Sequence, residues 1–305
     1  MQLSVVVPCY NEEAMIVLFY QETQKELQKL NINYELIFVD DGSIDGSLSL
    51  LKNLNKKDNT IKIISFSRNF GKEAAMLAGL EKASGDYVVI MDADLQNPPH
   101  LLKDMLIILK TNEYDCVAAY RKSRGHESIF KSIFSKLFYK IANLMTDIKM
   151  AEGVSDYRMM NQSVVKSLLS MKEYHRFTKG MFAWVGYKTK YLTYDNVNRQ
   201  AGRTKWSIIG LFKYAFSGII SFTILPLRIA IFLGLLTILT GLIYTIIVII
   251  NGNVVSGSII ISMLLFLGGC QLLVLGIIGE YLGRTYYETK RRPHYIIKEY
   301  ISYDK

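Results

Sequence analysis

The carboxylates of this chain come in close pairs. Asp92 and Asp94 flank a single alanine, and Asp40 and Asp41 open the run Asp40-Asp41-Gly42-Ser43-Ile44-Asp45-Gly46-Ser47. A hard divalent cation, Mg2+ or Mn2+, takes one or two protein carboxylates and completes its shell with substrate phosphates and water. Asp92-x-Asp94 therefore suits a metal–diphosphate, and Arg68 and Lys72 add positive charge for the same diphosphate. Asp40 or Asp41 can accept a hydrogen bond from a nucleobase N–H, and Tyr10 can pack on the base. Neither G-x-G-x-x-G after the first apolar run nor G-x-x-x-x-G-K-[ST] is present, which excludes the dinucleotide fingerprint and the P-loop. The chemistry that remains is a nucleoside diphosphate with a metal, carrying a group to be transferred.

Such residues need a scaffold that brings them to one rim. Leu3–Val7, Glu35–Val39, Ile61–Phe66, Tyr87–Met91 and Cys116–Ala119 read as strands, with helical patterns near residues 12–30, 47–54, 72–83 and 99–110. This alternation predicts an α/β fold: a mainly parallel sheet with helices on both faces and ligands beyond the carboxyl ends of the strands. The first four strands run directly into Pro8-Cys9-Tyr10-Asn11-Glu12, Asp40–Ser47, Ser67–Lys72 and Asp92–Pro99. One Asp-Gly-Ser is an ordinary turn, but four chemically loaded segments in succession, each at a strand's end, are not.

Taken together, Pro8-x-Tyr10-Asn11-Glu12, Asp40-Asp41-Gly42-Ser43-x-Asp45-Gly46-Ser47 and Asp92-x-Asp94-Leu95-Gln96-x-Pro98-Pro99 resemble the family 2 inverting glycosyltransferases of GT-A fold. More narrowly the chain is similar to polyprenyl-phosphate sugar transferases of the dolichol-phosphate mannose synthase and bacterial bactoprenol glucosyltransferase kind. Ser67-Arg68-Asn69-Phe70-Gly71-Lys72-Glu73 and Leu225-Pro226-Leu227-Arg228 are similar to the bactoprenol branch. The resemblance implies that Pro8, Tyr10 and Glu12, with Asp40 and Asp41, hold the nucleoside, with Arg68 or Lys72 beside it. Asp92, Asp94 and Gln96 would face the metal and diphosphate, and Arg121 and Arg124 the phosphate of a lipid acceptor. Ser155-Asp156-Tyr157-Arg158 matches the acceptor-side acidic motif, where Asp156 is either a base or an orienting group. Arg199-x-x-Gly202-x-Thr204-Lys205 matches a basic loop over the diphosphate, so that Arg199, Arg203 or Lys205 would stabilise the leaving group. Gln200-Ala201-Gly202-Arg203-Thr204 only approximates the QxxRW of processive synthases, which favours a single transfer.

The chain has 305 residues, half of them hydrophobic and 21% charged, which excludes intrinsic disorder. Ile229 to Gly279 contains no Asp, Glu, Lys or Arg. Residues 229–250 give a helix of about 33 Å, enough for roughly 30 Å of hydrocarbon. Asn251-Gly252-Asn253 signals a turn, and residues 256–279 supply a second span. A buried soluble hairpin would normally carry charge on an outer face. Arg228 before the first span and Arg284, Lys290, Arg291 and Arg292 after the second predict a multi-pass membrane protein with both termini cytoplasmic.

The organisation predicted is a catalytic domain over 1–206, a juxtamembrane interfacial helix over 207–228, two transmembrane helices within 229–279, and a cytosolic tail over 280–305. Ile129–Ile141 reads as an amphipathic helix, packed either on the core or on an anionic leaflet. The tyrosine-rich tail from Tyr286 reads as a strand pair or a membrane-edge belt. Gly268, Gly269 and Gly276 allow close helix contact within or between chains, and a homo-oligomer follows from them and from the resemblance. Cys9, Cys116 and Cys270 have no C-x-x-C spacing, and the histidines no ligand spacing, which points to reduced thiols and no zinc knuckle. Met1-Gln2-Leu3 shows no basic region of a signal peptide.

The net charge of +9, beside a membrane segment, favours anionic lipid and phosphorylated substrate over nucleic acid. The partners implied are a nucleotide sugar, UDP-glucose or UDP-N-acetylglucosamine, and polyprenyl (undecaprenyl) phosphate. GDP-mannose as donor, and a noncatalytic membrane-anchored nucleotide sensor, are the competing readings.

Overall fold

The computed structural model describes residues 2–121, 153–195, 220–251 and 257–302, with residues 140, 143, 144 and 146. The N-terminal half alternates as the pattern predicts: β1 (Gln2–Cys9), α1 (Glu13–Lys29), β2 (Asn33–Asp40), α2 (Ser47–Asn55), β3 (Ile61–Phe66), α3 (Lys72–Lys82), β4 (Tyr87–Ile90), α4 (Leu101–Lys110) and β5 (Cys116–Arg121). Elements that the hydropathy pattern does not announce follow: β6 (Val154–Asn161), α5 (Gln162–Ser170), α6 (Thr178–Trp184) and β7 (Thr189–Tyr194). Two long helices, α7 (Leu225–Asn251) and α8 (Gly257–Lys290), precede a last strand, β8 (Ile297–Ile301).

The strands form one sheet in the order β7-β5-β6-β4-β1-β2-β3-β8. β1 to β4 are mutually parallel along the sheet, whereas β6 runs antiparallel to both β4 and β5, and β8 antiparallel to β3. Strand alternation divides the core between two faces. Val5, Val7, Leu36 and Phe38 pack with Met15 and Phe19 of α1 and with Leu102 and Met105 of α4. Val6, Ile37 and Val39 pack with α3, α5 and α6 on the other face. α3 lies unusually close to the sheet, because a Cβ on Gly79 would sit 2.1 Å from Cγ1 of Val6. That closeness sets the height of Lys72 at the other end of the helix. The order of strands reverses between β1 and β4, and it is there that parallel sheets bind ligands.

The uncharged stretch forms two helices that overrun the limits read from charge alone. α8 continues from Gly279 to Lys290, and its last turns bond to residues just before α7 and to the loop after α5. The Tyr281 hydroxyl donates to the Thr223 carbonyl (2.6 Å), Arg284 Nη1 donates to Ser221 Oγ (2.9 Å), and the Tyr174 N–H donates to Glu288 Oε1 (2.8 Å). Phe266–Lys290 is long and apolar enough to cross a membrane, and none of it is buried. Phe232 and Phe266 are each 65% exposed, and many other large apolar side chains of α7 and α8 are uncovered with them. Among the described residues, no atom outside the helix's own nearby backbone lies within 4 Å of where a Cβ would stand on Gly268, Gly269 or Gly276.

The tail does not form a strand pair of its own. Its residues 297–301 extend the eight-stranded sheet at β3. Apart from Lys140, the amphipathic stretch at 129–141 lies outside the described residues, as do residues 207–219 of the expected interfacial helix and the turn at Gly252-Asn253.

Candidate active site

The loops after β1 and β2 are locked together by the residues of their own motifs. The Asn11 N–H donates to Ser43 Oγ (2.9 Å), the Glu12 N–H to Ser47 Oγ (2.9 Å) and the Ile44 N–H to Asn11 Oδ1 (2.9 Å). Glu13 Oε2 accepts from the Gly46 N–H (3.0 Å), and Asp45 Oδ1 accepts from the Ser47 N–H (3.0 Å). Asn11 itself adopts φ 51°, a left-handed conformation that asparagine tolerates better than most residues. Much of the Asp-Gly-Ser-x-Asp-Gly-Ser motif is therefore architecture: it shapes the cradle in which Pro8, Tyr10 and Glu12 stand.

Asp40 and Asp41 are buried at the floor of that cradle. Asp40 accepts from the Ser43 N–H (3.2 Å) and from Ser65 Oγ (3.0 Å). Asp41 accepts from two successive backbone groups, the N–H of Phe70 (2.6 Å) and of Gly71 (2.9 Å). Burial raises the Asp41 carboxyl above its ordinary range in spite of those two bonds. Its place is therefore the anchor of the Arg68–Gly71 loop. Gly42 makes that loop possible, since φ is +67° there and a Cβ would lie 2.4 Å from the Arg68 carbonyl carbon. Arg68 lies exposed above, its guanidinium 4.0 Å from the centre of the Phe70 ring.

Register alone brings the second carboxylate group together. β6 pairs antiparallel with β4, Ile90 opposite Arg158, so Asp156 comes level with the residues just past β4. Lys72, at the first position of α3, bridges the two strands: its Nζ is 2.6 Å from Asp92 Oδ1 and 2.8 Å from Asp156 Oδ2. Burial works against the ammonium, but the two carboxylates outweigh it and raise its pKa. Burial likewise pushes the Asp156 carboxyl up, yet Lys72, Lys179 and Arg158 hold it well below the usual carboxylate range. Asp92 is raised, by burial and by the charges of Asp156 and Asp94 acting against Lys72. Glu73, next along α3, is raised to about 7, chiefly by burial and then by the charge of Asp156.

Asp94 is 9% exposed, and its Oδ1 accepts from the Gln96 N–H (3.1 Å). The intervening Leu95 has φ 55°, an uncommon conformation for leucine and a local strain that turns the chain back on the carboxylate. Asn97 ties the same loop to β6 and β7, accepting at Oδ1 from Ser155 Oγ (3.1 Å) and the Tyr194 hydroxyl (3.2 Å). Among the described residues no group of three or more His, Cys, Asp and Glu side chains is gathered for a metal. The donors present nevertheless fit a hard divalent cation. Asp92 and Asp94 offer hard oxygen donors close to one another just past β4, the kind of donor a divalent cation takes beside a substrate diphosphate.

The structure thus brings Lys72, Asp92 and Asp156 into one cluster with Asp94 beside it, and Pro8, Tyr10, Glu12, Asp40, Asp41 and Arg68 around the cradle next door. Gln96 meets Asp94 through its backbone. Arg121 closes β5, where its N–H donates to the Gly153 carbonyl (3.2 Å). Arg124, Arg199, Arg203 and Lys205 lie outside the described residues. Glu73 and Asn97 lie within motifs that the sequence shows but are given no role by them, and Lys179 belongs to no recognisable spacing; their contacts come from strands and helices that only the fold juxtaposes.

Residues 4–169 match the model of the family described as "Glycosyl transferase family 2". The chain belongs to that family, its fold is the GT-A type of α/β sheet, and it is a glycosyltransferase. More narrowly, residues 225–285 match the "GtrB C-terminal hairpin". The chain is 44% identical over 302 residues to the "Putative glycosyltransferase CsbB" of Bacillus subtilis, covering 97% of this chain and 91% of that protein. It is 40% identical over 305 residues to the "Prophage bactoprenol glucosyl transferase homolog" of Escherichia coli (98% and 99% covered). With the "Bactoprenol glucosyl transferase" of Shigella phage SfV it shares 39% identity over 305 residues (98% of each chain).

Proposed function

We propose that the chain transfers a single sugar, with inversion, from UDP-glucose or UDP-N-acetylglucosamine to polyprenyl (undecaprenyl) phosphate at the cytoplasmic face of the membrane. The product is a lipid-linked sugar for modification of cell-envelope glycans. The relatives named bactoprenol glucosyl transferases, alike along the whole chain, support this acceptor and a hexose donor. The observation that carries the membrane part is the pairing of β8 with β3. The chain enters the helical hairpin from the catalytic domain and returns to the same sheet, so any crossing by the hairpin is even in number. Both ends then stand on one side, in agreement with the basic residues flanking the spans. A homo-oligomer, formed through the open glycine faces of α8, is part of the same proposal.

In this reading Pro8, Tyr10, Glu12 and the Arg68 loop grip the nucleoside. Asp94 and Asp92, with Gln96, would hold a divalent cation, which when bound would supply positive charge to the departing diphosphate. Arg121 and Arg124 receive the acceptor phosphate, and the basic loop with Arg199, Arg203 and Lys205 covers the leaving group. A phosphate oxygen attacks the anomeric carbon from the face opposite the diphosphate; the new C–O bond forms as the bond to the diphosphate breaks. A phosphate monoester has a second pKa of about 6 and is largely dianionic at neutral pH, so no strong base is required. Asp156, held ionised by Lys72, is a poor proton acceptor and serves to fix Lys72 and the rim.

Membranes containing the chain, given polyprenyl phosphate and a radiolabelled donor, test the proposal. Label passes into the chloroform phase from UDP-glucose or UDP-N-acetylglucosamine, and chelation of divalent cations stops it. Label from GDP-mannose alone would overturn the donor assignment. No product from any of the three would favour a nucleotide sensor.

A further inference from the structure

The catalytic residues all precede the membrane hairpin, yet the segment that follows it reaches the donor side of the site. β8 lies antiparallel along β3, with Ser65 opposite Glu299 and Phe66 opposite Ile297 across a bulge. One residue further on, the Ser67 N–H donates to the Ile296 carbonyl (3.0 Å), immediately before Arg68. Tyr295 then lays its ring on Phe66, centroids 4.8 Å apart and planes 13° from parallel. Phe66 meets Phe70 edge-on at 5.8 Å, and Phe70 carries the Arg68 guanidinium on its outer face. A continuous series of ring contacts thus runs Tyr295, Phe66, Phe70, Arg68. It stands beside the two backbone N–H groups, of Phe70 and Gly71, that Asp41 anchors. The Tyr295 hydroxyl also bonds to Glu81 at the far end of α3, the helix that begins with Lys72.

We propose that Tyr295 is a positioning residue for the donor: acting through Phe66 and Phe70, it holds Arg68 and the Phe70–Gly71 backbone where the nucleoside is gripped. The donor site is then complete only when the chain has passed through the hairpin and its end has returned to the sheet. This rests on the proposed use of the Arg68 loop for a nucleotide donor. The ring is the working part, since an aromatic pair contributes beyond its buried area while the hydroxyl is engaged by Glu81 and not by the Arg68 loop.

The test uses the full-length chain in detergent or lipid nanodiscs, comparing Tyr295→Ala, Tyr295→Phe and Lys52→Ala; the last removes an ion pair to Glu299 of β8 (2.6 Å) without touching the stack. Hydrogen exchange at the Phe70 and Gly71 amides reports the loop without any ligand, and calorimetry with uridine diphosphate and Mn2+ reports donor affinity. Tyr295→Ala speeds the exchange and weakens nucleotide binding, each about fivefold, and leaves the KM for the lipid acceptor within about twofold. Tyr295→Phe and Lys52→Ala stay within about twofold of the parent in all three. Unchanged exchange in Tyr295→Ala overturns the proposal. So does Tyr295→Phe as weak as Tyr295→Ala, or a matching loss of acceptor affinity, which would mean general loosening. If the parent chain binds no nucleotide, the proposed function falls instead, and the exchange comparison still decides the role of Tyr295.

Discussion

Asp94→Asn lowers sugar transfer by about a thousandfold or more while leaving the protein folded. The carboxylate oxygen that accepts the Gln96 N–H survives in asparagine as an amide oxygen, so the strained turn at Leu95 keeps its closing bond. What disappears is the negative charge beside Asp92 that, in the proposed function, would draw the cation and diphosphate to the end of β4. The loss falls on the rate at saturating donor, because stabilising the departing diphosphate matters more in the transition state than in the ground state. Rates measured over a range of Mg2+ and Mn2+ concentrations check this: excess metal recovers only a small part of the activity. Full activity in the variant at any metal concentration would remove Asp94 from the site.

Lys72→Met has the next largest effect, a loss of about a hundredfold in transfer. The ammonium is shared between Asp92 and Asp156, and without it two carboxylates face each other across the gap between β4 and β6. One of them must then take up a proton or move apart, and the rim that receives the cation loses its shape. Asp156→Asn alone is milder, since Lys72 keeps Asp92 as partner. The double variant, Lys72→Met with Asp156→Asn, loses less than the product of the single losses, because the second change removes the repulsion created by the first. Steady-state rates of the three variants form the cycle that checks this. Losses that multiply independently would mean that the cluster does not act as a unit.

Most of what these predictions use was legible in the sequence, and the remainder fails to show for identifiable physical reasons. β1 to β5 announce themselves because they are buried apolar runs ending in polar loops, and those loops carry Tyr10, Asp40, Arg68 and Asp94. β6 is quiet: Val154-Ser155-Asp156-Tyr157-Arg158 mixes polar and apolar groups, since one end of the strand forms the site while Tyr157 and Met159 enter the core. The motif around Asp156 could be recognised, but its partner could not, because nothing in one dimension places residue 156 opposite residue 92. Lys72 reads from its loop as a group beside the diphosphate, and only the antiparallel pairing of β6 shows that it bridges two carboxylates. The tail misleads by its tyrosines. Tyr300 belongs to a strand, and Tyr295 stands just before it; that strand exists because β3 offers an open edge, which is fixed by the whole sheet order. The charge-free stretch marks the hairpin but not its true end, since Glu280 to Lys290 continue α8 by bonding to groups far away in the chain.

The proposed reaction passes a sugar from a nucleotide held at this carboxylate rim to a phosphate carried by a membrane lipid. It is tested most directly with the full-length chain in lipid nanodiscs, given labelled UDP-sugar, a divalent cation and either undecaprenyl phosphate or undecaprenol. With the phosphate, label appears in an acid-labile lipid; with the alcohol it does not. Equal transfer to the alcohol, or to a short water-soluble phosphate in the absence of lipid, would contradict the claim.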